Sequence, residues 1–327
     1  MRALQVSQLG EPREVMRLAE VSDPVPGPGQ LVVRVLAAAA NFPDVLMCRG
    51  EYQDKPDLPF TPGLEVCGEV VALGEEVRDF AVGDRVLGGA VLPYGGFGDL
   101  ALMDVATTFA APGALDDAEA ASLYLGYQTG WFGLTRRVAL REGETLLVHA
   151  AAGGVGSAAV QLGKAMGARV IGVVGGPVKA AVARKLGADV VVDRHETDFV
   201  DVVKSETNGR GADVIYDPVG GKTYQLSTKC IAFEGRILVI GFAGGEIQTA
   251  ALNHALVKNY SIVGLHWGLY RRYDPAAVLE CHNYLTELAT QGAVRPVVSE
   301  RLTLDQMADG VQRLADGATV GRIVCSP

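Results

Sequence analysis

The chain has 327 residues, 49% of them hydrophobic, with 41 glycines spread throughout. That is long for one core and apolar enough to exclude general disorder, so two domains are expected. A formal net charge of −9, with no block of like charges, argues against nucleic acid or an anionic membrane as the main partner. Five isolated cysteines without a CxxC pair make neither a disulfide framework nor a zinc knot, and a cytoplasmic protein with reduced thiols is expected.

The opening MRALQVSQLGEPREVM lacks the apolar region of a secretory leader. The most hydrophobic run, LVVRVLAAAANF, is interrupted by Arg34 and is too short to span a bilayer. LVVRVLAAAAN, EVCGEVVALG and GDRVLGGAV are β-rich, and VPGPG, KPDLP and LPYGG punctuate them, so the first part predicts a barrel-like β region. Within it TPGLEVCGEV places Glu65 and Cys67 two residues apart, a pairing open to metal, thiol or plain strand readings.

The pattern changes near residue 118. DDAEAASLYLGYQTGWFGLTRRV has helical spacing, with Asp116 or Asp117 as a plausible N-cap. ETLLVHA then reads as a buried strand, and strands alternate with helices through RVIGVVG, KAAVARKLG, DVVVD, DFVDVVKSETN, DVIYDPVG and RILVIG. Such alternation predicts a doubly wound parallel sheet. YSIVGLHWG, a helix over DPAAVLECHNYLTELATQG and the closing GRIVCSP complete the chain.

The segment LLVHAAAGGVGSAAVQLGKAMG is the most informative. A strand ends at His149–Ala150, and Gly153, Gly154, Val155 and Gly156 lead into a helix. Glycines there permit a tight turn and close backbone approach, and the helix start offers N–H groups to a pyrophosphate. Ala151 stands where G-x-G-x-x-G has its first glycine. After the next strand an NAD site carries an acidic residue for the ribose 2′-hydroxyl. Here Val174 and Gly175 occupy that end and Lys179 follows, with Arg194 after the third strand. This favours NADPH, although Lys179 also fits a solvated first-turn lysine and Arg194 an ordinary surface residue.

The order of these segments resembles the zinc-free quinone oxidoreductase branch of the medium-chain dehydrogenase/reductase superfamily. The resemblance is carried by NFPDVLMCRGEYQDKPDLPFTPGLEVCGEV, GDRV at 83–86, HAAAGGVGSAAVQLGKAMGA, GADVIYDPVGG at 211–221 and GRIV. It implies an α/β chain: a GroES-like β-rich catalytic domain over 1–122 and 266–327, with a Rossmann NADPH-binding domain inserted over 123–265. It also implies a homodimer. Zinc-dependent members carry a metal-binding Cys early in the chain and a G-H-E motif. Asn41 and Leu64 stand in those places here, neither able to ligate zinc, and no metal is expected. Glu65 then reads as a structural carboxylate with a salt bridge or backbone contacts, and Cys67 as a small buried residue.

Without a Lewis acid, hydride from NADPH suits an acceptor that delocalises negative charge: a quinone, an enone or an enoyl thioester. The resemblance makes Tyr52 a proton or hydrogen-bond donor and Asn41 a contact to nicotinamide ribose or substrate. It sets Thr129 and Leu265 near the nicotinamide. Gly241, Phe242 and Ala243 follow a strand at the edge where such sheets bind ligands. Tyr52 as a pocket wall, Asn41 and Asp44 as local caps, and Thr129 bonded to its own helix are the plainer readings. His266 is read as structural or a pocket wall. The arginine that relatives carry before the closing strand is Gly317 here, and Arg271 and Arg272 lie where a coenzyme A phosphate would be met, or are plain surface arginines. The alternatives are an enoyl- or acryloyl-CoA-type reductase and a non-catalytic NADPH-binding protein.

Overall fold

A computed structural model describes Met1–Pro327. The chain forms two compact units, residues 1–125 with 282–327, and residues 126–281. The segment pattern of the sequence places the return to the first unit at 266. Residues 266–281 instead belong to the second, where Tyr270 packs on Phe132 with ring centroids 4.2 Å apart and Arg136 pairs with Asp274.

The first unit begins with an antiparallel pair, β1 (Arg2–Val6) and β2 (Met16–Glu20). Four longer strands follow: β3 (Gln30–Ala39), β4 (Glu65–Leu73), β5 (Arg85–Ala90) and β6 (Leu100–Ala110). They pair antiparallel in sequence order, and β6 also pairs with β3, which closes the sheet on itself. Leu31, Val33, Val66, Val70, Val86 and Met103 are buried in its core. A helix over Phe42–Arg49 follows β3. Asn41 is its N-cap, Pro43 lies in its first turn, and Gly50 ends it in the left-handed region at φ 70°.

The second unit holds six parallel strands: β7 (Thr145–Val148), β8 (Arg169–Val174), β9 (Val190–Asp193), β10 (Ala212–Asp217), β11 (Ile231–Val239) and β12 (Ser261–Gly264). Their order is β12-β11-β10-β7-β8-β9, the doubly wound Rossmann arrangement, with its switch point between β7 and β10. Every residue of β7 is buried, as a central parallel strand requires. Ahead of the sheet, the helix Tyr124–Trp131 continues as a π-helix over Phe132–Arg137. A side chain at Gly133 would meet Leu238, Leu265 and Tyr216, so the backbone lies directly on the sheet there.

The last two strands, β13 (Val298–Leu302) and β14 (Arg322–Cys325), belong again to the first unit. β14 runs antiparallel to β3, with β13 parallel outside it. Ala39 of β3 faces Glu65 of β4 on one side and Val324 of β14 on the other. That register brings Arg322, at the start of β14, to Glu65, although 257 positions separate them.

Candidate active site

The glycine loop leaves the carboxyl end of β7. Ala150 takes a left-handed conformation at φ 49°, and Gly153 N donates to Ala150 O at 2.8 Å. The helix Gly154–Ala165 begins at once, and its first i→i−4 bond runs from Ser157 N to Gly153 O. The N–H groups of Gly154, Val155 and Gly156 therefore precede the helical ladder and suit an anionic ligand. Gly156 is required for packing: a Cβ there would lie 2.1 Å from Ala150 O.

Other expected ligand residues share this carboxyl edge of the sheet. Beyond β8, Gly175 and Gly176 lead into the helix Pro177–Lys185, which carries Lys179 in its first turn. Beyond β9, Arg194 approaches Gly175, with Nε 3.0 Å from where a Cβ would stand. Burial, and then the Arg194 charge, holds the Lys179 amine below its ordinary value. Asp193, the acidic residue of this corner, accepts from Gly176 N at 3.0 Å and His195 N at 3.1 Å through Oδ1. The loops after β10 and β11 are laced together: Ala243 N donates to Pro218 O and Gly244 N to Val219 O. Gly241, Phe242 and Ala243 thus form a fixed rim, and Leu265 follows β12 with its N–H on Val239 O. Thr129 is buried in the helix Tyr124–Trp131, beside Gln128, whose fully buried amide has no protein partner at either Oε1 or Nε2.

Asn41 and Tyr52 lie in the first unit. Asn41 is buried, and its amide donates to Ala39 O at 3.1 Å and to Glu65 Oε2 at 3.0 Å. Both N–H bonds are engaged, so Asn41 can meet a further hydroxyl only through its carbonyl oxygen. Asp44 caps the same helix: its Oδ2 accepts from Asn41 N and its Oδ1 from Gly63 N. Burial pushes the Asp44 carboxyl up to about 6, against backbone donors and the Arg322 charge. Tyr52 is half-buried in the loop after the helix and packs against the first unit's core.

TPGLEVCGEV is resolved by these contacts. Glu65 is fully buried at the start of β4, accepts from Leu125 N at 2.8 Å and from Asn41, and pairs with Arg322. Burial pushes its carboxyl up, opposed first by Arg322. Cys67 is buried, and burial pushes its thiol up to about 12, which leaves no thiolate for chemistry. No three His, Cys, Asp or Glu side chains group to hold a metal.

Arg322 and His149 are not evident from the sequence alone. Arg322 supplies the charge that Glu65 needs, and only the strand register reveals it. His149 is buried at the end of β7 with Nε2 2.8 Å from Ser227 Oγ, and burial drives its imidazole down to about 4. A histidine ending a buried hydrophobic run was the available signal.

A family profile described as an alcohol dehydrogenase GroES-like domain matches residues 27–113, and one described as a zinc-binding dehydrogenase matches residues 154–282. A quinone oxidoreductase-like protein 2 homolog of Nematostella vectensis is 37% identical, with 99% of this chain and 88% of the relative covered. A mycobacterial protein solved in complex with NADPH is 30% identical at a TM-score of 0.93, each chain fully covered. The Escherichia coli quinone oxidoreductase, also complexed with NADPH, is 28% identical at a TM-score of 0.92, again over both whole chains.

Proposed function

Because the chain belongs to the medium-chain dehydrogenase/reductase superfamily, in its quinone oxidoreductase branch, we propose that it is a zinc-independent NADPH reductase of quinones or activated C=C bonds. One observation carries the reading. The carboxyl edge of β7, β8 and β9 offers helix N–H groups and paired cations to a dinucleotide, and no side-chain set there or elsewhere suits zinc. The zinc in one profile's description does not fit these residues: catalytic zinc takes three protein ligands plus an open position, and Asn41 and Leu64 stand where two would be.

The protein's own groups fit the cofactor. The N–H groups of Gly154, Val155 and Gly156 would hold the pyrophosphate, and Lys179 with Arg194 the 2′-phosphate. Gly241, Phe242, Ala243 and Leu265 would border the nicotinamide half, with Thr129 as a hydroxyl contact. Bound there, NADPH supplies a hydride to an acceptor that moves the resulting charge onto oxygen. Tyr52 serves as hydrogen-bond or proton donor through its phenol, and Asn41 orients through its carbonyl oxygen. Quinone reduction places less demand on Tyr52, because solvent can protonate the product oxygens.

The same reading includes a homodimer. β12 is an edge strand of the parallel sheet, and the helix Leu252–Lys258 beside it in sequence has no buried residue. Leu252, Leu256 and Val257 are each more than 70% exposed, an apolar face suited to a second copy meeting it about a two-fold axis.

The test follows NADPH absorbance with 1,4-benzoquinone, 9,10-phenanthrenequinone, crotonyl-CoA and acryloyl-CoA. Oxidation with the quinones is expected. Turnover with thioesters alone would install the enoyl-CoA reading, and no turnover with any acceptor would favour a non-catalytic NADPH-binding protein. Tyr52→Phe is expected to slow thioester reduction more than quinone reduction, and equal effects would remove Tyr52 as proton donor.

A further inference from the structure

The corner after β8 and β9 holds a third group besides Lys179 and Arg194. His195 follows Arg194, and its Cε1 lies 3.2 Å from where a Cβ on Gly175 would stand, opposite Arg194 Nε at 3.0 Å and its terminal nitrogen at 3.2 Å. Both side chains therefore use the space that the missing side chain of Gly175 leaves at the end of β8. Asp193 fixes this arrangement, since one carboxylate oxygen receives both Gly176 N and His195 N and so ties the β8 loop to the β9 loop. The same oxygen lies 3.9 Å from His195 Nδ1. The imidazole is 61% exposed, so it can reach a ligand from solvent.

Resting on NADPH as the cofactor, we infer that His195 is a third reader of the adenosine 2′-phosphate, and that preference for NADPH over NADH therefore rises when its imidazole is protonated. The charged groups of this corner are Lys179 on the helix after β8, and Asp193, Arg194 and the adjacent Glu196 on the β9 side. Arginine keeps its charge across neutral pH, whereas an imidazole changes its charge between about pH 5 and 8; the Lys179 amine is held below its ordinary value, so its own pH response is read separately in Lys179→Ala. Asp193 has committed an oxygen to two backbone donors, and its carboxyl is held below its ordinary value by Gly176 N and then His195 N. Of the groups named, only the one on His195 is an imidazole.

The experiment measures binding, not turnover. NADPH, NADH and 2′,5′-ADP are titrated by calorimetry between about pH 6.5 and 8.5, where the 2′-phosphate is already mostly dianionic. The native protein is expected to lose about five- to tenfold of its NADPH-over-NADH affinity ratio across that span. His195→Ala is expected to start with the lowered ratio and show no pH trend, with NADH affinity unchanged. His195→Lys, charged throughout, is expected to keep the high ratio at both ends. An unchanged ratio and pH trend in His195→Ala, while Lys179→Ala lowers the ratio, would overturn the assignment of His195 alone. A native protein that binds NADH as tightly as NADPH would overturn the cofactor reading with it. Thermal unfolding at the native temperature for both His195 variants verifies that the corner, not the fold, has been changed.

Discussion

Replacing Arg322 with methionine should be among the most damaging single changes available in the first unit. Its side chain is 5% exposed and pairs with the fully buried Glu65 carboxylate. Glu65 would keep Asn41 and Leu125 as neutral donors but lose its counter-charge. Asp44, also buried and already pushed up to about 6, would lose the cation that partly offsets its desolvation. Removing one member of a buried pair costs about 3–5 kcal/mol. Arg322 Nε itself has no partner, so deleting the guanidinium also removes one unsatisfied donor and places the expectation near the lower end of that range. The loss should depend on pH with a defined sign. The folded pKa of Asp44 lies above its unfolded value of about 3.9, so its contribution is complete below pH ~4 and is lost as pH rises through about 6. That swing is about 3 kcal/mol in the native protein. In Arg322→Met it should grow and extend to higher pH. Both tryptophans, Trp131 and Trp267, lie in the second unit, so fluorescence is the wrong probe. Hydrogen exchange of β3, β4 and β14 peptides, from pH 5 to 8 with intrinsic rates corrected, reads the correct unit. A double variant, Glu65→Gln with Arg322→Met, should recover about 1–3 kcal/mol relative to the sum of the singles. A change below about 1 kcal/mol in the single variant, or strict additivity in the double, would refute the view that this pair anchors the unit.

Three further outcomes are expected. Gly156→Ala forces a Cβ to within 2.1 Å of Ala150 O, so NADPH affinity measured by fluorescence titration should fall at least about tenfold, with about 1–3 kcal/mol lost in stability. His149 titrates at about 4 when folded, against about 6.5 unfolded, so its contribution is present above pH ~6.5 and is lost as pH falls toward 4, about 3 kcal/mol in all; His149→Gln should flatten that acid limb in urea titrations, and an unchanged slope would reject the assignment. Leu256→Glu should convert the proposed dimer to monomer in sedimentation velocity, and an unshifted species would remove this face from the interface.

What could be read from sequence was what the chain states locally. The Gly153–Gly156 turn, the buried β7 run and the strand–helix alternation each lie within a few dozen residues, and periodicity with turn chemistry is enough to place them. The absence of a carboxylate after β8 was equally legible, because β8 ends where its hydrophobic run ends. The end of the inserted unit was not, since DPAAVLECHNYLTELATQG has a helix pattern but no mark of which unit its first half packs with. Nor was His195: a histidine beside Arg194 looks like surface until Gly175 is seen to make room for both.

Glu65 shows why the remainder was hidden. The sequence places a carboxylate in an apolar strand and requires that something satisfy it. It does not say which donors do so, because they come from Asn41, Leu125 and Arg322, at distances of 24, 60 and 257 positions. Those donors belong to the start of the Phe42–Arg49 helix, the Tyr124–Trp131 helix and the last strand. A single carboxylate thereby fixes three chain segments around the amide of Asn41. Because both Asn41 N–H bonds are engaged there, loss of Glu65 would free Asn41 to rotate as well as strand Arg322. Glu65→Gln should therefore alter substrate or cofactor positioning along with stability, and a variant that lost stability alone would separate the anchor from the site.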